Sequence, residues 1–187
     1  AKEHASTAKA MRHDFRHHMQ NIDLLLKQQK PQEAIHYIEE FIQSLDVASQ
    51  IDFCPHITAN AILNNFYNQA QKESISAIVI CSGVSAVIEI ADMDFVAILS
   101  NLLENAVNGC IECGSRDEIT VNLRMKKEKL VIVCSNPCKT DLVIENDIIK
   151  PKGTGIESIL MAIDKYDGNI RYQMEDGILT ACVILNC

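Results

Sequence analysis

Tryptophan is absent from this 187-residue chain, and none of the chemistry its motifs suggest calls for one. No apolar run approaches the length of about 18 residues that a membrane-spanning helix needs. A basic start followed by a long apolar stretch, the pattern of a secretory leader, is also missing. The chain instead opens in a polar, helix-like stretch, as a piece of a longer protein would. Basic residues are outnumbered, 17 Lys and Arg against 25 Asp and Glu, for a net charge of −8 and a pI near 5.2. That balance argues against nucleic acid as the main partner, because phosphate contacts need a basic face. Internal repeats and low-complexity segments are not evident. What is present is apolar material: 48% of residues are hydrophobic, enough for a real core in one or two small domains.

Eight cysteines stand at 54, 81, 110, 113, 134, 138, 182 and 187. Several fall in apolar strand-like runs and read as small buried hydrophobes. Without a secretory signal, a reducing compartment is favoured over disulfides. Cys110-x2-Cys113 with Cys134-x3-Cys138 matches zinc-ligand spacing. The first pair ends an apolar helix pattern and the second brackets a strand end, so structural cysteines are the expectation.

Residues 1 to about 29 read as a helix, with Met11, Phe15, His18, Ile22 and Leu25 along an apolar seam. Pro31 ends it and opens a second helix whose seam is Ile35, Ile38, Ile42 and Leu45. A lone helical hairpin buries only one side of its seam. A second copy would complete a four-helix bundle, so a homodimer is predicted. Ile51 to Pro55 reads as a linker. Beyond it, the patterns predict a helix from Thr58 to Lys72 capped by Thr58, β-rich stretches at 74–81 and 85–90, and a helix from Asp92 to Glu112 capped by Asp92. A hairpin over 119–125 and 129–135, an irregular polar stretch at 137–152, a helix at 156–166 and a hairpin turned by Glu175-Asp176-Gly177 follow. Antiparallel strands with helices on one face make an α/β sandwich.

Asn101 and Asn105 are one helical turn apart, and Asn108 stays near their face. Asparagine is a poor interior helix residue, and three on one face of a Leu/Ala-rich helix is unexpected without a use. Hard side-chain oxygens on a rigid helix suit a metal ion bound to ATP. Lys152-Gly153-Thr154-Gly155 stands just before a helix, where glycines let backbone approach phosphate and the helix N-terminus offers free N–H groups. On the first helix, His13 falls at the outermost heptad position. Asp14 beside it can orient the imidazole and take its proton, leaving a nucleophilic nitrogen at neutral pH. His18 falls in the seam and reads as a core residue. His13, His17, Gln20 and Leu24 form a stripe that suits docking. His4, His36 and His56 have no motif around them.

The order of an Asn-Leu-Leu-Glu-Asn-Ala helix, a hairpin, an irregular lid, Lys-Gly-Thr-Gly-Ile-Glu-Ser and a closing hairpin resembles the ATPase domain of sensor histidine kinases. That GHKL-type fold is shared with gyrase, Hsp90 and MutL, and the likeness covers roughly residues 55–187. The expected architecture is α+β: a dimerising, phosphoacceptor helical hairpin over 1–50, then a GHKL-type ATPase sandwich over 55–187. The resemblance implies ATP and Mg2+ as cofactors, with Asn105 the principal metal ligand, Asn101 supporting it and Asn108 nearby. It implies Gly153 and Gly155 as phosphate-loop glycines around Thr154, with Lys152 or Lys150 reaching the phosphates. The family's Asp-x-Gly-x-Gly box, whose Asp reads the adenine amino group, is missing. The stretch there is Cys134-Ser135-Asn136-Pro137-Cys138, with Ser135 in the place of the Asp, which implies weak or relaxed adenine recognition.

Arg12-His13-Asp14-Phe15 with His18-Met19-Gln20 resembles the histidine box of peptide-quorum-sensing receptor kinases of the accessory-gene-regulator type, which also lack the Asp-x-Gly-x-Gly box. The match implies His13 as phosphorylated residue, a response-regulator partner (one with a LytTR-type DNA-binding domain), an N-terminal membrane sensor and a cytoplasmic location for this part. His17 occupies the place where many such kinases carry the Asn or Thr of phosphatase activity. The rival reading is an ATP-independent phosphotransferase of the sporulation-phosphorelay type, with a degenerate nucleotide domain.

Overall fold

The computed structural model describes residues 19–43, 51–139, 141–150 and 154–187. The chain divides into two compact units, 1–49 and 50–187. In the first, helix α1 is described over 19–27 and α2 spans Pro31–Gln43. Pro31 takes the first position of α2, where its missing N–H costs nothing. The Asn21 amide donates to the Tyr37 hydroxyl at 3.3 Å, so the two helices lie alongside each other. Ala34 is buried, and Ile22, Leu25 and Ile38 are half-buried. Ile35, expected in the seam, is 47% exposed within the single chain. Met11, Phe15, His18 and Leu45 lie outside the described residues.

The second unit is a five-stranded sheet covered on one face by helices. In chain order it holds α3 (Ile57–Lys72), β1 (Ala77–Ser82), α4 (Asp92–Cys113), β2 (Ile119–Lys126) and β3 (Lys129–Pro137). A small ribbon of β4 (Ile144–Glu145) and β5 (Ile148–Ile149) follows, then α5 (Thr154–Asp164), β6 (Asn169–Glu175) and β7 (Ile178–Asn186). The order across the sheet is β1-β2-β3-β7-β6. β1 pairs with β2 in parallel, whereas the other pairs are antiparallel, so the sheet is mixed where an antiparallel one was expected. The parallel pair is possible because α4 supplies the long crossover between its strands. Alternation places Leu130, Ile132 and Cys134 of β3 on the helix-covered face, where all three are buried.

Several local expectations change. Residues 85–90 form no strand: Val87 is 79% exposed, and the segment follows Gly83 at φ +69. α3 is capped by His56 rather than Thr58, the imidazole Nδ1 accepting from the Ala59 N–H at 3.2 Å. His56 is buried edge-on against Phe95, so it does have a structural role. Thr58 instead donates to Asp92 at 2.9 Å, and Ala91 is the N-cap residue of α4, with no side-chain bond. The stretch read as a linker is docked on α3: the Ile51 N–H donates to Asn64 at 2.7 Å, and the Phe53 N–H to Asn60 at 2.8 Å.

α4 packs against α3, α5 and β3. Its first turn is tied to the end of α5. Lys165 donates to the Asp94 carboxylate at 2.6 Å and the Tyr166 hydroxyl donates to it at 2.9 Å, while the Ala91 N–H donates to that hydroxyl. These bonds hold the Asp94 carboxyl below the usual aspartate range, the Lys165 bond foremost, then that of Tyr166. They fix α4 against α5 at one end, and the other end of that interface opens into a cleft.

Candidate functional site

The cleft has a volume of about 260 Å³ and lies between α4, the first turn of α5, the β4–β5 ribbon and the ends of β6 and β7. Its rim is polar: Asn105, Asn108 and Glu112 are exposed along α4. Its floor is apolar and buried, with Ile149, Tyr172 and Leu179 at 5%, 4% and 9% exposure. Gly155 and Ile156 bring the N-terminal turn of α5 to the rim. The first N–H groups of a helix have no partner within it and carry a partial positive charge, so this end of the cleft suits an anion.

The sequence-predicted residues fall into three groups. Asn105, Asn108 and Gly155 come together on the cleft. Asn101 lies one turn back on α4, with its amide donating to Ala97 O at 2.6 Å. Its Oδ1 would stand 2.9 Å from a Cβ added at Gly155, so glycine there lets α5 approach α4. Thr154 is the first residue of α5, and its carbonyl accepts from Ser158 at 2.8 Å. Lys152, Gly153, His13, Asp14 and His17 lie outside the described residues. Lys150 is described, and it pairs with Glu145 at 2.8 Å at the edge of the ribbon.

The lid expected to be irregular carries the β4–β5 ribbon. Asn146 and Asp147 turn it with φ of 52° and 64°, and the Tyr172 N–H donates to Asp147 O at 2.7 Å, tying it to β6. Ile149 can thus lie in the cleft wall.

The β3 end corrects the reading of Ser135. Its side chain lies on the open face of the sheet and shares a hydrogen bond of 2.9 Å with Thr180. Asn136, one residue on, is the buried side chain that faces α4; its amide donates to Pro137 O at 2.8 Å. A Cβ added at Gly109 would come within 2.6 Å of that amide. The residue standing where a carboxylate was expected is therefore Asn136.

Tyr172 was not anticipated. Its ring is buried on β6, and its hydroxyl has no hydrogen-bond partner among the described residues. The alternation Ile170-Tyr172-Met174 was the signal that could have found it. Burial, and secondarily the nearby Cys134, push the phenol up to about 12, so it remains protonated.

The cysteines are all free thiols. Burial raises Cys110 to about 11 and Cys134 to about 12, and raises Cys138, which lines the cleft. In the free protein these thiols are protonated at neutral pH. Among the described residues, no group of three or more His, Cys, Asp or Glu side chains could hold a metal ion. No helix among them is long and apolar enough to cross a membrane.

A mixed sheet with helices on one face and a ligand cleft at the α4–α5 junction defines an α+β sandwich of the ATPase type. The family model of the GHKL domain matches residues 89–186, just over half of the chain, and the chain belongs to that family. The fold is similar to the nucleotide-free catalytic domain of histidine kinase ThkA, with a TM-score of 0.54, 16% identity, and coverage of 68% of this chain and 92% of that one. It is also similar to the Acinetobacter baumannii histidine kinase AdeS, with a TM-score of 0.57, 12% identity, and coverage of 93% and 97%. The mycobacterial sensor histidine kinase MprB matches at a TM-score of 0.51 and 10% identity, over 68% of this chain and 95% of that one. At such identities the likeness concerns the fold. No curated protein matches the sequence significantly.

Proposed function

We propose that this chain is the kinase core of a sensor histidine kinase of the accessory-gene-regulator type, which uses ATP to phosphorylate its own His13. The observation that carries the reading is the cleft in which Asn105 and Asn108 face the N-terminal turn of α5 at Gly155, in a chain of the GHKL family. The residues fit a nucleotide triphosphate with its metal. An apolar floor takes a flat base, the free N–H groups of α5 take phosphate oxygens, and the exposed Asn105 amide offers a hard oxygen at the same end. Mg2+, when bound, would supply neutralisation of the phosphate charge. Asn105 would hold it, with Asn101 positioned behind by its bond to Ala97. Gly153, Thr154 and Gly155 would line the phosphates, with Lys152 as a further cation. The chemistry asked of the protein is largely positioning and charge stabilisation.

Residues 1–50 serve in this reading as the dimerising hairpin that presents His13, with Asp14 taking the imidazole proton. Ile35, a seam residue 47% exposed within one chain, favours a second copy as its cover. Residues 55–187 serve as the ATPase domain. The phosphoryl group then passes to a response-regulator aspartate, the regulator being of the LytTR type. The whole protein carries an N-terminal membrane sensor and holds this part in the cytoplasm.

Incubation with γ-labelled Mg-ATP tests this. The expected product is an acid-labile, base-stable phosphoprotein, lost in His13→Gln. Label that survives His13→Gln moves the acceptor elsewhere. The absence of a carboxylate at Ser135–Asn136 favours one second reading, the ATP-independent phosphotransferase. It predicts no label from ATP but rapid label from a phosphorylated regulator.

A further inference from the structure

The two edges of the five-stranded sheet are finished differently. β6, at one edge, is covered: the Tyr172 N–H donates to Asp147 O at 2.7 Å, which holds the β4–β5 ribbon along it. Its exposed residues are polar, Arg171 and Glu175 among them. β1, at the other edge, has no such cover. Successive residues of a strand direct their N–H and C=O groups to opposite sides. Ser76 O accepts from the Ile119 N–H at 2.8 Å, so the backbone groups of Ser76, Ile78 and Ile80 face β2. Those of Ala77, Val79 and Cys81 therefore point outward, and no backbone bond reaches them among the described residues.

The side chains alternate as well. Ala77, Val79 and Cys81 pack against the helix-covered core, whereas Ile78 and Ile80 stand on the open face, 42% and 47% exposed. Natural edge strands are guarded by a charge, a proline or a bulge. β1 reads Ala-Ile-Val-Ile-Cys-Ser, with no charge and no proline, and it pairs with β2 residue for residue, without a bulge. No charged residue occurs from Ser74 to Ile88, in a chain with 17 basic and 25 acidic residues. Two copies of a protein with a net charge of −8 repel each other in general, but not through this run.

We propose that the free edge of β1 is an interface between two copies of this chain, pairing antiparallel with β1 of the second copy to join two five-stranded sheets into one. The outward-facing residues fix the register. Antiparallel partners exchange both bonds only where both residues face the seam, which holds with Val79 opposite itself and Ala77 opposite Cys81. A twofold axis then passes between the two copies of Val79. Ile78 of each copy falls opposite Ile80 of the other, in the closer, non-hydrogen-bonded kind of pair. The next register in either direction sets one isoleucine against a serine, Ile78 against Ser82 or Ile80 against Ser76. The same partner thus satisfies the outward backbone groups and covers both exposed isoleucines. Because β6 is covered, pairing closes at two copies and does not run on as a fibre. The interface depends neither on the nucleotide reading of the cleft nor on the helical hairpin.

The test is amide hydrogen exchange of the full chain over a range of protein concentration. It compares the wild type with two double variants, Ile78→Lys with Ile80→Lys and Ile78→Glu with Ile80→Glu. In the wild type the Val79 amide should exchange at least about ten-fold more slowly at high concentration than on dilution, while the β3 amides stay unchanged. Each double variant sets like charges directly opposite across the seam and should lose that protection. Mixing the two variants should restore it, since every lysine then faces a glutamate. A Val79 amide that exchanges fast at every concentration overturns the proposal, and is what association through the hairpin alone predicts. Protection that does not change with concentration also overturns it, by assigning the cover to the same chain. So does protection that both double variants keep, or that appears in the wild type only when a different protein is added. The wild-type dilution series decides even if a variant fails to fold.

Discussion

Gly109→Ala sets two strong effects against each other within one residue of the site. Gly109 lies inside α4, where glycine is about 1 kcal/mol worse than alanine. Propensity alone therefore predicts a stabilised protein. The structure predicts the opposite. A Cβ at 109 would stand 2.6 Å from the Asn136 amide nitrogen, where ordinary contact begins near 3.4 Å. Two further atoms close the space: Pro137 O at 3.4 Å and Cys138 Sγ at 3.6 Å. Asn136 cannot simply swing away, since it is 4% exposed and donates to Pro137 O at 2.8 Å. Either α4 lifts off the end of β3, an overpacking cost of about 1–3 kcal/mol, or the amide breaks its bond while still buried, at about 1–3 kcal/mol. After the helix gain is subtracted, the net loss is about 0–2 kcal/mol, or up to roughly 8 °C in Tm for a unit of this size. Calorimetry on Gly109→Ala, Asn136→Ala and the double variant measures it. The alanine at 136 makes room, so the double variant should be more stable than the sum of the singles by about 1 kcal/mol or more. A rise in Tm for Gly109→Ala, or strict additivity in the cycle, refutes the reasoning.

Asn105→Ala should abolish nucleotide binding in a fluorescence assay while leaving stability within about 0.5 kcal/mol, because its side chain is exposed; unchanged binding would remove it from the site. Gly168→Ala should cost about 1–3 kcal/mol in a urea titration, since its Cβ would meet Ile184 O at 2.7 Å, Leu185 Cδ2 at 2.8 Å and Ile163 Cγ2 at 2.9 Å. Asp94→Asn should lower Tm at neutral pH. Because the folded-state carboxyl lies below its ordinary value of 3.8, its contribution is full above that pH and lost as pH falls through the depressed value, so the gap to wild type should close only in that acid range. A gap that persists there would assign the effect to packing. GTP should displace a fluorescent ATP analogue within about ten-fold of ATP itself, because an amide can either donate or accept; discrimination of about a hundred-fold or more would show a dedicated adenine reader.

Much of the described fold could be read from local pattern. The apolar period of α4 and its three asparagines, the break at Pro31, and the hairpins at 119–137 and 169–186 depend on residues a few positions apart, whose spacing sets which face is apolar. The turn at Asp176 and Gly177 is equally local, with both residues at positive φ. Asn105, Asn108 and Gly155 were legible as a set for the same reason, since each sits in a short motif that carries its own chemistry. The facing of Asn136 was legible too, had the alternation Leu130-Ile132-Cys134 been carried two residues further. What the tertiary structure alone decided is non-local. The parallel pairing of Ala77 with Ile119 depends on where a 22-residue helix returns the chain. Val87 lies outside any strand because no neighbouring strand takes it, although its local sequence is β-rich. His56 caps a helix that Thr58 could have capped, because Phe95 from α4 buries its ring. Tyr172 is buried because Ala181, its small neighbour on β7, leaves room for the ring. A side chain's propensity travels with it along the chain, but its hydrogen-bond partners are assigned only when distant segments meet.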